Sequence, residues 1–331
     1  MGIFTTILFG FTAVVAVFNL ILELLRDLMM LQQNSYRNER YNRWLKQSQD
    51  TTSWLRLFAL IVVLFAGARF ASPTVSMVLI LAVAAWSSYR LMTARYKKPL
   101  VMTKRAWRIF GAASVLCVAA LAAVSFAAGS LDDLFFLYGF TSLLLYCLSH
   151  ALTLFANWIL KPVEKSINQK YYRDAERILH SMPGLKVVGV TGSYGKTSTK
   201  HYLYRILSEK YDTCMTPGSF NTTLGVIRTV REYLKPYNEV FICEMGAKQP
   251  GDVREICELV RPEIGIVTAV GEHHLESFKT IENVQRTKFE LVDSLPVDGL
   301  AVVNDDFPYV ANRDVDNVRV ERYAVYATDR A

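Results

Sequence analysis

Lys196 and Thr197 follow a glycine-rich turn, and residues of these types in this order suit the holding of a polyphosphate. The stretch Leu185 to Thr199 reads LKVVGVTGSYGKTST. Val187 to Val190 is an apolar, β-branched run that predicts a buried parallel strand. Thr191, Gly192, Ser193, Tyr194 and Gly195 then turn tightly, and Lys196, Thr197 and Ser198 open a helix. Such a turn aims several backbone N–H groups and a helix N-terminus at one point, where phosphate binds. The Lys196 ammonium reaches β- and γ-phosphates there, and the Thr197 hydroxyl is placed to ligate Mg2+. Five residues separate Gly189 from Gly195, so the motif is the short form TGxxGKT rather than GxxxxGK[ST].

Three further positions could add chemistry. Glu244 closes the apolar strand EVFIC, and a carboxylate there could hold Mg2+ across from Thr197, or else cap the next loop. His273 and His274 end a later strand; neighbours on a strand point to opposite faces, so at most one of them turns inward. Lys288 falls on an inward helical stripe with Ile281, Val284 and Leu291. Two readings of it stay open. It snorkels to the helix edge, or it faces the site, where desolvation favours the neutral amine. A neutral amine adds CO2 to give a carbamate, an anion able to hold a second Mg2+.

These residues need a scaffold that gathers strand ends. The sequence after residue 184 alternates short apolar strands with helices. A helix is expected over 196–211, with Tyr202, Ile206 and Leu207 on its buried side, then a strand at 213–215. A polar loop, TPGSFNTTLG at 216–225, leads to a helix through Leu234. Further strands are expected at 239–243, 263–270 and 299–303, with helices at 251–260 and 281–295. This pattern predicts an α/β fold with a doubly wound, mainly parallel sheet of phosphate-loop type. In such sheets ligands bind beyond the carboxyl ends of the strands, where Lys196, Thr197, Glu244, His273, His274 and Asn304 collect.

The chain has 331 residues and a formal charge of +7, but its halves differ. Nearly all long apolar runs precede residue 161. Five of them, near 3–22, 55–71, 74–93, 107–128 and 134–160, are candidate membrane spans by length. The loops after the first and third runs are rich in Arg and Lys, whereas the loops between the others hold only Arg69 or Asp132 and Asp133. The positive-inside rule then predicts a multi-pass cell-membrane protein with everything after Lys161 in the cytoplasm. No charge pair or relay is evident in the spans, and His150 reads as hydrogen-bonded structure. Residues 161–182 alternate apolar and basic positions, which suits a helix on an anionic membrane surface or one packed on the following domain. The five cysteines show no CxxC spacing, so neither a zinc site nor a disulfide framework is expected.

Six stretches carry a resemblance. TGSYGKTST, TPGSFNTTLGV, CEMGAKQPGDV, RPEIGIVTAVGEHHLESF, TKFELVDSL and VVNDD resemble the central domain of the Mur ligase family, in its D-alanyl-D-alanine-adding branch. The match runs from Lys186 to Asp306 and leaves residues 1–160 out. It implies ATP and Mg2+ as cofactors. The implied partners are a muramoyl-peptide acceptor, UDP-linked or lipid-linked, a dipeptide amine donor and a membrane, without nucleic acid. It implies a ligation in which the acceptor carboxylate becomes an acyl phosphate that the amine then attacks. By the same resemblance Lys196 binds phosphate, Thr197 and Glu244 bind magnesium, and His274 rather than His273 belongs to the second metal region. Lys288 corresponds to a carbamylated lysine, Asn304 to the residue at the nucleotide base, and Asn221 and Thr222 to the loop that meets the acceptor. The expected organisation is a transmembrane region at 1–160, a basic amphipathic linker at 161–184 and a central ATP-binding domain at 185–331. The family's sugar-nucleotide and C-terminal domains have no counterpart, so the chain is expected to be either a fragment or one that has lost the partner domain, and not to complete ligation alone. A nucleotide-binding membrane scaffold without turnover, or a ligase for another peptide such as poly-γ-glutamate, are the alternatives.

Overall fold

A computed structural model describes residues 2–68, 70, 72–96, 98–272 and 278–324. It divides into two compact units, Met1–Lys165 and Ser166–Ala331.

The first unit is helical: α1 (Ile3–Gln33), α2 (Asn38–Ser48), α3 (Trp54–Gly67), α4 (Pro73–Thr93), α5 (Lys104–Ser125), α6 (Leu131–Cys147) and α7 (Ser149–Ile159). Leu20, Leu24, Leu28 and Leu31 turn one face of α1 into the core, while Phe4, Ile7, Phe11, Val14, Phe18 and Ile21 leave an apolar stripe exposed on the other. The expectation of five spans is corrected. By length and composition α1, α4 and α5 are long and apolar enough to cross a membrane. At 14 residues α3 is too short, reaching about 21 Å at 1.5 Å per residue, and the last run is broken between α6 and α7 with a bend of 72°.

That break has a cause. Arg56 Nη1 donates to the carbonyl of Tyr146 at 2.8 Å, and Arg56 Nη2 meets Ser149 Oγ at 3.2 Å. The same guanidinium is ion-paired to Glu23, and Arg26 joins Glu23 at 2.7 Å and also pairs with Asp50. His150 bridges Asp27 and Asp50, each at 2.9 Å, and Tyr41 Oη lies 3.0 Å from its Nδ1. A buried network of three acids, two arginines and a histidine therefore occupies a region where no charge pair was expected.

The second unit includes most of α8 (Lys161–His180). Tyr172, Ala175, Ile178 and Leu179 of this helix pack on the core of the unit, which decides for the packed alternative over a surface-lying one. The sheet then follows: β1 (Lys186–Thr191), α9 (Lys196–Leu207), β2 (Thr213–Met215), α10 (Thr223–Glu232), β3 (Val240–Met245) and α11 (Asp252–Val260). After these come β4 (Ile264–Val267), α12 (Ile281–Asp293), β5 (Leu300–Asn304), α13 (Pro308–Ala311) and β6 (Arg319–Tyr323). The strand order is β2-β3-β1-β4-β5-β6, with every pairing parallel. The last strand was not anticipated, because Arg319 to Tyr323 is largely polar and exposed.

Leu203, Tyr204 and Leu207 of α9 cover one face of the sheet against Val188, Val190, Val240, Ile242 and Ile266. Tyr202 and Ile206 point outward instead, at 72% and 68% exposure, which corrects the expected buried side. Residues of α10, α11 and α12 share a core with Phe241, Cys243 and Met245, the alternate residues of β3. In register, Thr191 lies beside Met245 on one side and Val267 on the other, so three strands end together.

Candidate functional site

The phosphate turn is built where those strands end. Gly192 has φ of +150°, and a Cβ there would meet Thr268 Oγ1 at 2.2 Å. Gly195 adopts φ of +80° as the N-cap of α9, a left-handed conformation that glycine takes without steric cost. The turn is braced from β4: Ser193 N donates to Ala269 O at 2.7 Å, and the Thr268 hydroxyl donates to Tyr194 O at 2.5 Å. Ser193 Oγ also lies 3.1 Å from both Gly271 O and Gly271 N. Thr191 is buried, its hydroxyl donating to Met245 O at 2.9 Å.

Lys196 opens α9, and its Nζ donates to the turn's own carbonyls at Gly192 (2.6 Å) and Ser193 (3.3 Å). Burial lowers its pKa, with the Glu244 charge pulling the other way. Thr197 Oγ1 lies 3.2 and 3.1 Å from the two Glu244 oxygens. Burial would raise the Glu244 carboxyl, but hydrogen bonds from Lys200 and Asn221 outweigh it and hold the pKa below the usual range. These hydroxyl and carboxylate oxygens converge as hard donors, which fits Mg2+.

Lys288 is 4% exposed. Burial, with the charge of Lys196 adding to it, pushes its ammonium down to about 8. Asp252 and Glu290 oppose this through charge alone; the Glu290 carboxylate is taken by the backbone N–H groups of Gly251 and Arg254 at 2.7 and 3.0 Å. Of the two readings of Lys288, the exposed, snorkelling one does not hold.

The remaining expected residues are placed as follows. Asn221 Nδ2 donates to Glu244 Oε1 at 3.0 Å, while the Thr222 hydroxyl caps α10 by accepting from Gly225 N at 3.3 Å. Asn304 ends β5, and its Oδ1 accepts from Asp306 N at 3.0 Å. Tyr194 is half exposed and Ser198 lies in the first turn of α9. His273 and His274 lie outside the described residues. Sequence reasoning missed Thr268 and Lys200. The latter is fully buried, with Nζ 2.9 Å from Glu244 Oε2.

Comparison with known proteins fits this geometry. The Mur ligase middle domain family matches residues 190–330. In this stretch the chain is similar to a Mur ligase middle domain. The UDP-N-acetylmuramoyl-tripeptide--D-alanyl-D-alanine ligase of Mycobacterium bovis is 39% identical over 132 residues, 39% of this chain and 25% of that one. The enzyme of the same name from Bacillus subtilis is 33% identical over 130 residues, 39% of this chain and 28% of its own. The crystal structure of MurF ligase from Thermotoga maritima in complex with ADP is 32% identical, with a TM-score of 0.45 over 47% of this chain and 36% of that one. The chain thus spans about a quarter of the length of the curated relatives it matches.

The Mur ligase assignment also corrects the expected location. The relatives are named as ligases of a nucleotide-linked tripeptide, and the family match begins only at residue 190. Among the described residues, three helices of crossing length, or four if the bent pair α6–α7 is one span, do not by themselves establish insertion. The expectation of a multi-pass cell-membrane protein is withdrawn.

Proposed function

We propose that Ser166–Ala331 is the ATP-binding part of a Mur ligase that joins a D-alanyl-D-alanine-type dipeptide to a muramoyl-peptide carboxylate. The meeting of Thr197 with Glu244 at the strand ends, beside Lys196, carries this reading, and Lys288 is buried close enough to feel the charge of Lys196. An anionic carboxylate must approach an anionic triphosphate, and fixed positive charge at the phosphates offsets the repulsion. Lys196 supplies it together with the N–H groups of the turn. The acceptor oxygen bonds to the γ-phosphorus as the bond to ADP breaks; the amine then attacks the acyl carbon and phosphate leaves.

Thr197 and Glu244 would hold Mg2+, which supplies charge neutralisation at the phosphates. His274 is assigned to the second metal region. Lys288, with its pKa at about 8, has an appreciable neutral fraction near neutral pH. Its amine would add CO2 and lose a proton, and the resulting carbamate would offer an anionic ligand to a second Mg2+. Asn304 is assigned to the adenine and Asn221 and Thr222 to the acceptor loop. The acceptor is UDP-linked, as in the names of the relatives.

Calorimetric titration with Mg-ATP tests the core of the reading. Lys196→Ala should weaken binding roughly 10–100-fold, the value of a charge-assisted phosphate contact; unchanged affinity would remove the phosphate assignment. ADP release that depends on UDP-linked muramoyl tripeptide tests the acceptor, and release only with a lipid-linked form would replace it. Carbon-13 bicarbonate should give a carbamate resonance that Lys288→Met lacks.

A further inference from the structure

Lys200 has no part in the motif that opens α9, yet among the described residues of the second unit it is the most enclosed cation. Its side chain is fully buried at 0% exposure. It lies one turn along α9 from Thr197, so both side chains reach the same strand end. Its ammonium makes two identified contacts of different kinds: Nζ is 2.9 Å from Glu244 Oε2, and it donates to the backbone carbonyl of Gly218 at 2.8 Å. Gly218 belongs to the polar loop 216–222. That loop touches Glu244 again at its far end, where Asn221 Nδ2 donates to Oε1 at 3.0 Å. Behind the carboxylate, Thr216 Oγ1 accepts from Glu244 N at 3.1 Å. A Cβ on Gly246 would meet Asn221 at 2.8 Å, so the loop also packs tightly on the strand end.

We propose that Lys200 is a positioning residue that fastens the 216–222 loop to Glu244, so that the metal-binding carboxylate and the acceptor loop form one rigid piece. This rests on the reading of the site under the proposed function. A buried ammonium is costly unless its donors are satisfied, and here one donor goes to each of the two parts that must stay together. Gly218 has φ of +49° and nothing within 4 Å of where its Cβ would stand. The ends of the loop are held by backbone bonds, Thr216 N to Ile242 O at 3.0 Å and Gly246 N to Asn221 O at 2.6 Å, and the bond from Lys200 fixes its middle at Gly218. The consequence for Glu244 is a division of labour between its oxygens. Oε2 is held by Lys200, and Oε1 faces Asn221. An acceptor drawn to the loop is thereby drawn to a fixed distance from the carboxylate that holds the cation.

The test is hydrogen exchange on the full chain with Lys200→Met, whose side chain is of similar length and carries no charge. Backbone amides of 218–222 should exchange about tenfold faster, as expected when a charge-assisted bond that closes a local opening is lost. Exchange in β1 and β3 should stay within about twofold. No acceleration in the loop, or an even acceleration over α9, β3 and the loop, would overturn the proposal, because a lysine that merely fills space destabilises everything around it. If Lys200→Met does not fold, the Lys200→Gln, Glu244→Gln pair removes both charges while keeping polar groups in place, and its loop amides should show the same local increase. The same samples titrated with Mg-ATP separate the two ideas. Absent nucleotide binding in the unaltered chain sinks the proposed function, while the loop exchange still judges Lys200.

Discussion

Thr197 Oγ1 lies 3.1 Å from Glu244 Oε2, although the two stand 47 positions apart in the chain. The pair joins the first turn of α9 to the end of β3, and those two elements frame the phosphate turn.

Replacing Thr197 by valine keeps the shape and removes the hydroxyl. ATP affinity measured with Mg2+ should fall about tenfold, the worth of one polar contact to a charged group. Affinity measured in chelator should not change, because the hydroxyl serves the cation rather than the phosphates. Equal losses in both conditions would count against Thr197 as a metal residue.

Gly192→Ala places a methyl group 2.2 Å from Thr268 Oγ1 and 3.0 Å from Ala269 N. One of the two must move, and Thr268 is tied to Tyr194 O at 2.5 Å. A cost of about 1–3 kcal/mol is expected from strain of this kind, together with loss of Mg-ATP binding. Hydrogen exchange of β1 and calorimetry would read the two effects separately.

Lys288 ionises at about 8 in the folded chain, against an ordinary value of 10.5. Between those values the unfolded chain binds more protons than the folded one, so stability rises with pH across that window. Below about 8 both forms are protonated and the penalty on the buried charge is constant. Relative to Lys288→Met, the unaltered chain should gain on the order of 3 kcal/mol between pH 8 and 10.5. Exchange of β3 amides in CO2-free buffer measures this, and parallel pH profiles for the two chains would contradict it.

Glu23→Gln tests the helical unit. The substitution leaves Arg56 and Arg26 without one of their carboxylates, and removing one partner of a buried pair costs about 3–5 kcal/mol. Amides of α1 and α3 should lose protection while those of β1 keep theirs. An unchanged α1 would mean that the network contributes nothing to the stability of this unit.

The phosphate turn was legible because everything it needs is local: a β-branched strand, glycines where the backbone must turn, then Lys196 and Thr197. Glu244 was legible because a carboxylate ending an apolar strand breaks that strand's own pattern. Lys200 was not, since amphipathic reasoning sends a lysine outward, and only Glu244, brought by a different strand, makes its burial tolerable. The same logic turned Tyr202 and Ile206 the wrong way. In the helical unit the first expected span stopped near residue 22, short of Glu23 and Asp27, and their partners Asp50, Arg56 and His150 come from three other segments. Glu23 and Asp27 do stand four apart on one helical face, the one local signal of a buried polar cluster.

The order of strands bears on how the second unit comes into being. β1 is the first strand of its sheet to be synthesised, but its neighbours are β3 and β4, while β2, the next in the chain, pairs elsewhere. The phosphate turn leans on Thr268 and Ala269, just beyond β4. During synthesis the turn thus exists as sequence long before it exists as a shape, and it must wait for distant chain to arrive, which makes assembly slow and non-local. On the proposed function, affinity for a polyphosphate would belong to the finished sheet alone, and a ligand in the surroundings would draw newly made chains toward completion by mass action.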